Sequence, residues 1–117
     1  MGQNAAVEKS FEFAVRIVNL YKYLVREHKE YILSKQLLRC GTSIGANIAE
    51  AQRGQSKAGF AAKMNIALKE ANETQYWLKL LYRTEFLSKS QYLSLNADIR
   101  ELLGILTAIC RSSNTLK

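Results

Sequence analysis

The chain has 117 residues, no proline, two cysteines and 17 basic against 10 acidic side chains, which gives a formal net charge of +7. This length fits one domain with a single core, and the lack of proline together with sparse glycine favours long helices over sheet. No apolar run approaches the ~20 residues that cross a bilayer, and the N-terminus lacks an export signal, so we expect a cytoplasmic all-α protein without membrane contact.

The first predicted helix, over about residues 7–28, carries two adjacent apolar stripes. The stripe that we expect to face the core contains Phe11, Ala14, Val18, Tyr21 and Val25. The second stripe contains Phe13, Ile17, Leu20 and Leu24. Together they cover roughly 200° of the helix, whereas a surface helix of a single bundle buries little more than about 100°. The excess predicts that the second stripe packs against another copy of the chain.

The second predicted helix, over about residues 31–52, has a core stripe and, beside it, a stripe of small residues. Gly41, Gly45 and Ala49 follow at intervals of four, and such residues let another backbone approach closely. Close packing or a local kink would offset the roughly 1 kcal/mol that each glycine costs in a helix. Asn47 is interpreted either as an amide that fixes register or as a solvent-exposed side chain. The core stripe comprises Leu33, Leu37, Cys40, Ile44, Ile48 and Ala51.

The rest of the chain predicts two further helices with clear boundary signals. Gly54 and Ser56 fit a helix stop and an N-cap before a helix over about residues 57–84. Ser88 and Gln91 resemble a capping box before a helix over about residues 90–113. The expected core stripes are Phe60, Met64, Ala67, Ala71, Thr74, Leu78 and Leu81 in the third helix, and Tyr92, Leu95, Ile99, Leu102, Leu106 and Ile109 in the fourth.

Four helices joined by short connections most simply alternate in direction. The predicted fold is therefore all-α, an antiparallel up-down four-helix bundle that forms a single domain over residues 1–117.

Residues that could support catalysis or hold a cofactor are scarce. His28 and Asp98 are the only histidine and the only aspartate, and no glutamate has a histidine three residues later, as di-iron bundles require. We therefore predict no enzymatic activity, no metal, no cofactor and no small-molecule substrate. The two cysteines are interpreted as reduced core residues. Trp77 and Tyr76 could stack on nucleobases, but a tryptophan on a long bundle helix favours core or intersubunit packing.

Basic residues gather at one end of the predicted bundle, which we call the basic pole. The segment between Glu50 and Glu70 contains four basic residues and no acid, and antiparallel packing would bring basic residues of the first and fourth helices to the same end. The start of the third helix adds backbone N–H groups and a positive dipole, so phosphate could dock there. Ordinary solubility charge explains the pattern as well. The candidate nucleic-acid-binding residues are Lys9, Arg53, Lys57, Lys63 and Arg111, and Lys69 and Lys117 add to the charge.

Three segments, residues 10–14, 39–51 and 66–71, carry a recognisable pattern. Its most specific members are Arg39, Ser43, Asn47, Ile48 and Glu50, with Glu73 and residues 105–109 as weaker support. In these residues the chain resembles the four helix bundle protein family, the 23S rRNA intervening-sequence proteins of bacteria. Many members carry proline where Gly45 stands and glycine where Ala51 stands.

The resemblance implies an antiparallel four-helix protomer without enzymatic activity, frequently assembled as a ring-shaped homopentamer. It also implies that RNA or DNA is a partner, since related bundles are basic accessory proteins that engage nucleic acid. Two hypotheses follow. One is a non-enzymatic oligomeric accessory protein whose basic pole contacts phosphates. The other is a protein-interaction scaffold without nucleic-acid contact.

Overall fold

The computed structural model describes residues 2–54 and 56–115, with side chains for residues 5–54 and 56–113. The described residues contain four α-helices, α1 (Gly2–His28), α2 (Leu33–Ala51), α3 (Lys57–Arg83) and α4 (Lys89–Thr115). The molecule measures 46 × 20 × 19 Å, and a helix of 27 residues, at about 1.5 Å per residue, spans most of its length. None of the described helices is long and apolar enough to cross a bilayer.

Neighbouring helices are antiparallel, as the order of the contacting residues along the chain shows. Arg39 of α2 contacts Glu73 of α3, and further along α2, Glu50 contacts the earlier Lys63. The corresponding pairs between α1 and α4 are Arg16 with Asp98 and Lys9 with Glu101. Each helix packs against the next along the chain, and α4 also packs against α1. The antiparallel four-helix bundle predicted from the sequence is therefore confirmed.

The core is built from the apolar stripes predicted for α2, α3 and α4. Every member is buried except Leu33, Phe60, Tyr92 and Ile109, which are half-buried and pack against the core. Cys40 and Cys110 are both free and buried. Burial raises the pKa of both thiols, so they stay protonated and behave as small apolar side chains.

The two apolar stripes of α1 have exchanged the roles that the sequence analysis gave them. The stripe expected to meet another copy is buried in the protomer's own core, with at most 8% of any of its side chains exposed. Its members are Phe13, Ile17, Leu20 and Leu24. In the stripe expected to face the core, Phe11 is 66% exposed, and the others, Ala14, Val18, Tyr21 and Val25, are half-buried. The prediction was wrong because both stripes have the same helical period, and only the positions of α2 and α4 decide which one points inward.

The helix boundaries largely follow the predicted signals. Ser56 caps α3 by accepting a hydrogen bond from the Gly59 N–H at 3.0 Å, and Ser88 and Gln91 form the reciprocal capping box of α4. One expectation fails: α1 begins at Gly2, ahead of the predicted residue 7, because its first turns also pack on the bundle. The helix α2 ends at Ala51, shortly before Gly54 as predicted, although no described glycine has a positive φ.

Candidate nucleic-acid interface

Three of the five candidate residues lie at the basic pole. Arg53 follows the end of α2, Lys57 is the first residue of α3, and Arg111 lies near the end of α4. All three side chains are exposed, and within the described residues none of them forms an ion pair. Antiparallel packing brings these helix ends together, so the three positive charges share one end of the bundle. Lys117 lies outside the described residues.

The other two candidates, Lys9 and Lys63, lie further along the bundle and are paired with carboxylates. Lys63 Nζ is 2.7 Å from Glu50 Oε1, and Lys9 Nζ is 3.1 Å from Glu101 Oε2. The hydrogen bond from Lys63, together with its charge, lowers the pKa of Glu50 below its ordinary value. These pairs partly neutralise both lysines, so the structure does not bring all five candidates into one unpaired cluster.

The N-terminus of α3 is partly satisfied by the chain itself. Ser56 Oγ accepts a hydrogen bond from the Gly59 N–H, so this N–H, one of those expected to bind phosphate, already has a partner. Lys57 and Ala58 remain exposed beside it. Lys69 is also exposed but lies about 18 Å further along α3, at about 1.5 Å per residue, and does not belong to the pole.

Arg39, Glu70, Glu73 and Trp77 form an ion-paired cluster across α2 and α3. Arg39 donates to both carboxylates, and Trp77 Nε1 donates to Glu73 Oε2 at 3.1 Å. Desolvation alone would lower the pKa of Arg39, but the charges of Glu73 and Glu70 outweigh it and raise that pKa above its ordinary value. These ion pairs join α2 to α3 at the surface of the bundle. The half-buried Trp77 ring also packs against the core.

Comparison with known proteins places the chain in a family. The model of the family described as 23S rRNA-intervening sequence protein matches residues 3–108. The chain belongs to this family. Among solved structures, a protein of unknown function from the S23 ribosomal protein family of Bacteroides thetaiotaomicron is 59% identical. That match covers 95% of this chain and 99% of the other, with a TM-score of 0.93. No curated protein gives a significant match.

The remaining residues of the 23S rRNA-intervening sequence pattern either form hydrogen bonds within α2 or hold it against the rest of the bundle. Ser43 Oγ donates to the Arg39 carbonyl at 2.7 Å, and Asn47 Nδ2 donates to the Ser43 carbonyl at 2.8 Å. Ile48 is fully buried, and Glu50 pairs with Lys63. Asn47 therefore neither pairs with a neighbouring helix nor stands free in solvent.

The two glycines of α2 allow α1 to approach closely within the protomer of this family member. A Cβ atom at Gly41 would lie 2.9 Å from Ile17 Cγ1, and one at Gly45 would lie 3.3 Å from the Ser10 carbonyl oxygen. The structure thus gives these glycines a partner in their own chain, and none of their contacts requires a second copy.

A polar groove between α3 and α4, which we call the α3–α4 groove, was missed by the sequence analysis. Its volume is about 440 Å³. It is lined by Asn72, Gln75, Tyr76, Lys79, Tyr92, Asn96 and Arg100. The available signal was helical spacing, since polar residues recur every three or four positions beside the core stripes of both helices.

Proposed function

We propose that this chain is a non-enzymatic, oligomeric accessory protein of the cytoplasm that binds RNA or DNA by contacting phosphates with its basic pole. The observation that carries the proposal is the group of exposed cations Arg53, Lys57 and Arg111, which have no carboxylate partner among the described residues. Cations of this kind attract the phosphate backbone without reading the sequence of bases.

Association of several copies would strengthen such contacts. Phe11 is 66% and Val15 is 43% exposed on the outer side of α1, and this apolar surface would be covered in an oligomer. The family resemblance suggests a homopentamer. A ring of protomers would present the basic pole several times, so that weak single contacts act together on one nucleic-acid molecule.

The proposal is tested by titrating labelled RNA and DNA with the protein at low and at moderate salt. We expect affinity to fall steeply with salt, and Arg53→Glu and Lys57→Glu each to weaken binding about tenfold or more, because each reverses a charge next to phosphate. Lys35→Glu is the matched control, since it makes the same change on an exposed lysine near the start of α2, at the opposite end of the bundle.

Two results would overturn this function. One is the absence of salt-sensitive binding to any nucleic acid. The other is an equal loss of affinity in the Lys35→Glu control, because the effect would then follow from net charge and not from the basic pole.

A protein-interaction scaffold is the second candidate function. The observation in its favour is the exposed apolar pair Tyr31 and Ile32, 49% and 74% exposed, in the connection at the end opposite the basic pole. A single protein partner captured after nuclease treatment, and lost with Ile32→Glu but not with Lys57→Glu, would favour this alternative.

A further inference from the structure

The α3–α4 groove is an open, polar groove of the size of a ligand site, and it lies apart from the basic pole. Its volume of about 440 Å³ falls within the range of roughly 300–1,000 Å³ typical of small-molecule sites. Three of the lining side chains are carboxamides, two are tyrosines, two are cations and none is a carboxylate. Asn72 is about 22 Å from Lys57 along α3, at about 1.5 Å per residue, so the two regions do not overlap.

Asn96 supplies the observation that points most directly to a ligand. Its Oδ1 atom is buried and has no hydrogen-bond donor within the part of the chain that the structure describes. A buried acceptor without a partner is unfavourable, and such groups are uncommon in folded proteins unless something else supplies the donor. The oxygen is shielded from solvent, so a ligand N–H or O–H group would complete this hydrogen bond once the Asn96 side chain turns towards the groove.

The aromatic side chains of the groove favour a planar ligand. Tyr92 is stacked on Tyr82, with ring centroids 4.5 Å apart and planes within 6°, so this wall of the groove is held in place. Tyr76 is 61% exposed and touches Trp77 edge to face, which leaves ring surface open for stacking. Nucleobases combine a planar face that stacks on such rings with polar edges that suit carboxamides.

The two cations define what lies beside the planar group. Lys79 belongs to α3 and Arg100 to α4, each towards the C-terminal side of its part of the groove. Because the two helices are antiparallel, these cations lie towards opposite ends of the groove. Within the described residues, neither Lys79 nor Arg100 forms an ion pair. Two separated cations match a nucleotide with a phosphate on each side.

We propose that the α3–α4 groove binds one unpaired nucleotide, with its base against Tyr76 and Tyr92, a polar edge of the base at Asn96, and its flanking phosphates at Lys79 and Arg100. This inference shares a class of ligand with the proposed function but depends on different residues. Either site can therefore fail while the other holds.

The test compares three ligands by titration: a single-stranded oligonucleotide, a fully paired duplex of the same length, and a nucleoside monophosphate. The oligonucleotide is expected to bind tightest, because only it offers an unpaired base between two phosphates. Trp77 is the sole tryptophan and its ring centroid lies 5.2 Å from that of Tyr76, so a base that stacks on Tyr76 should change its fluorescence. If the monophosphate binds as tightly and with the same fluorescence change, the ligand is a free nucleotide and the assignment to a strand is wrong.

Variants of the groove assign the binding to these residues. Tyr76→Ala, Lys79→Gln and Arg100→Gln are each expected to weaken single-strand binding about tenfold while leaving duplex binding at the basic pole unchanged. Lys35→Gln is the control, since α2 makes no contact with α4 and this lysine does not line the groove. Arg53→Glu should instead weaken the binding of both the single strand and the duplex. This difference distinguishes a failure of the groove proposal from a failure of the basic-pole proposal.

Asn96→Leu distinguishes a binding role from a structural one. It removes the buried acceptor that has no partner, so the free protein should melt at an equal or higher temperature, while single-strand affinity falls about tenfold. Unchanged single-strand affinity in both Asn96→Leu and Tyr76→Ala would overturn the proposal, as would an equal loss with Lys35→Gln or no fluorescence change with any of the three ligands.

Discussion

The carboxylate of Glu30 caps the first turn of α2. The N-cap residue itself is Ile32, whose side chain cannot accept a hydrogen bond. Glu30 instead accepts from the N–H groups of Ile32 at 3.1 Å, Leu33 at 3.0 Å and Ser34 at 2.7 Å. Partial burial alone would raise the pKa of Glu30, but the backbone hydrogen bonds outweigh it and lower that pKa. The usual capping signals missed this contact, because the carboxylate acts from outside the N-cap position.

Replacing Glu30 should make stability depend less on pH. Because the folded-state pKa is lowered, the contribution of Glu30 is fully present above the unfolded value of about 4.3 and is lost as the pH falls through the folded-state pKa. Glu30→Gln should reduce the free energy of unfolding by about 1 kcal/mol at neutral pH, and the difference should shrink in acid. Denaturant titrations at neutral pH and at a pH well below about 4.3 measure this difference. A Glu8→Gln substitution at an exposed position is the control. A difference that persists in acid would contradict it.

Glu85 adopts a left-handed conformation, φ 70°, where α3 ends. The Phe86 N–H donates to the Leu81 carbonyl and the Glu85 N–H donates to the Tyr82 carbonyl, which is the Schellman arrangement. A side chain costs about 1 kcal/mol in this conformation, so Glu85→Gly should raise the free energy of unfolding by about 0.5–1 kcal/mol. Thr84→Gly should lower it, because φ there is −99° and the hydroxyl's hydrogen bond to the Leu80 carbonyl is lost. Thermal and denaturant unfolding of both variants provide the comparison.

At the scale of the element, α1 shows the limit of periodicity. The apolar pattern correctly predicts a helix, and for α2, α3 and α4 it also predicts the buried face. For α1 the pattern contains two stripes, and the wrong one was assigned to the core. The small residues of α2 settle the choice, because Gly41 makes room for Ile17 of the second stripe.

The approach of α1 to α2 at Gly41 can be tested against a glycine in open space. A Cβ at Gly41 would lie 2.9 Å from a branched side chain that is fully buried, so Gly41→Ala should destabilise the protein. An overpacking cost of about 1–3 kcal/mol less a gain in helix propensity of about 1 kcal/mol leaves a net loss of about 1 kcal/mol. Gly104 has nothing within 4 Å of its Cβ position, so Gly104→Ala should gain about 1 kcal/mol.

A double-mutant cycle identifies the clash. In an Ile17→Ala background, Gly41→Ala should no longer destabilise, because the contacting methyl groups have been removed. If Gly41→Ala costs as much in that background as in the wild type, the close approach to Ile17 is not the cause of its effect.

At the scale of the whole molecule, the exposed part of α1 carries the prediction of self-association. Phe11→Glu and Val15→Glu place a charge on apolar surface that is 66% and 43% exposed in the protomer. Each should therefore leave the helical signal intact while reducing the solution mass towards the 13.3 kDa of one protomer. Light scattering after size-exclusion chromatography measures this, with Gln36→Glu at an exposed position of α2 as control. A wild-type protein that is already monomeric at micromolar concentration would refute the prediction.

The sequence by itself determined the helices, their caps at Ser56 and Ser88, and the core faces of α2, α3 and α4. These features depend on residues within a few positions of one another, so local spacing is sufficient to specify them. Only the tertiary structure decided which stripe of α1 is buried, that Lys9 and Lys63 are paired with carboxylates, and that Asn96 faces a groove. Each of these depends on how a helix is rotated about its axis and which helix lies beside it, and local periodicity contains no information about either.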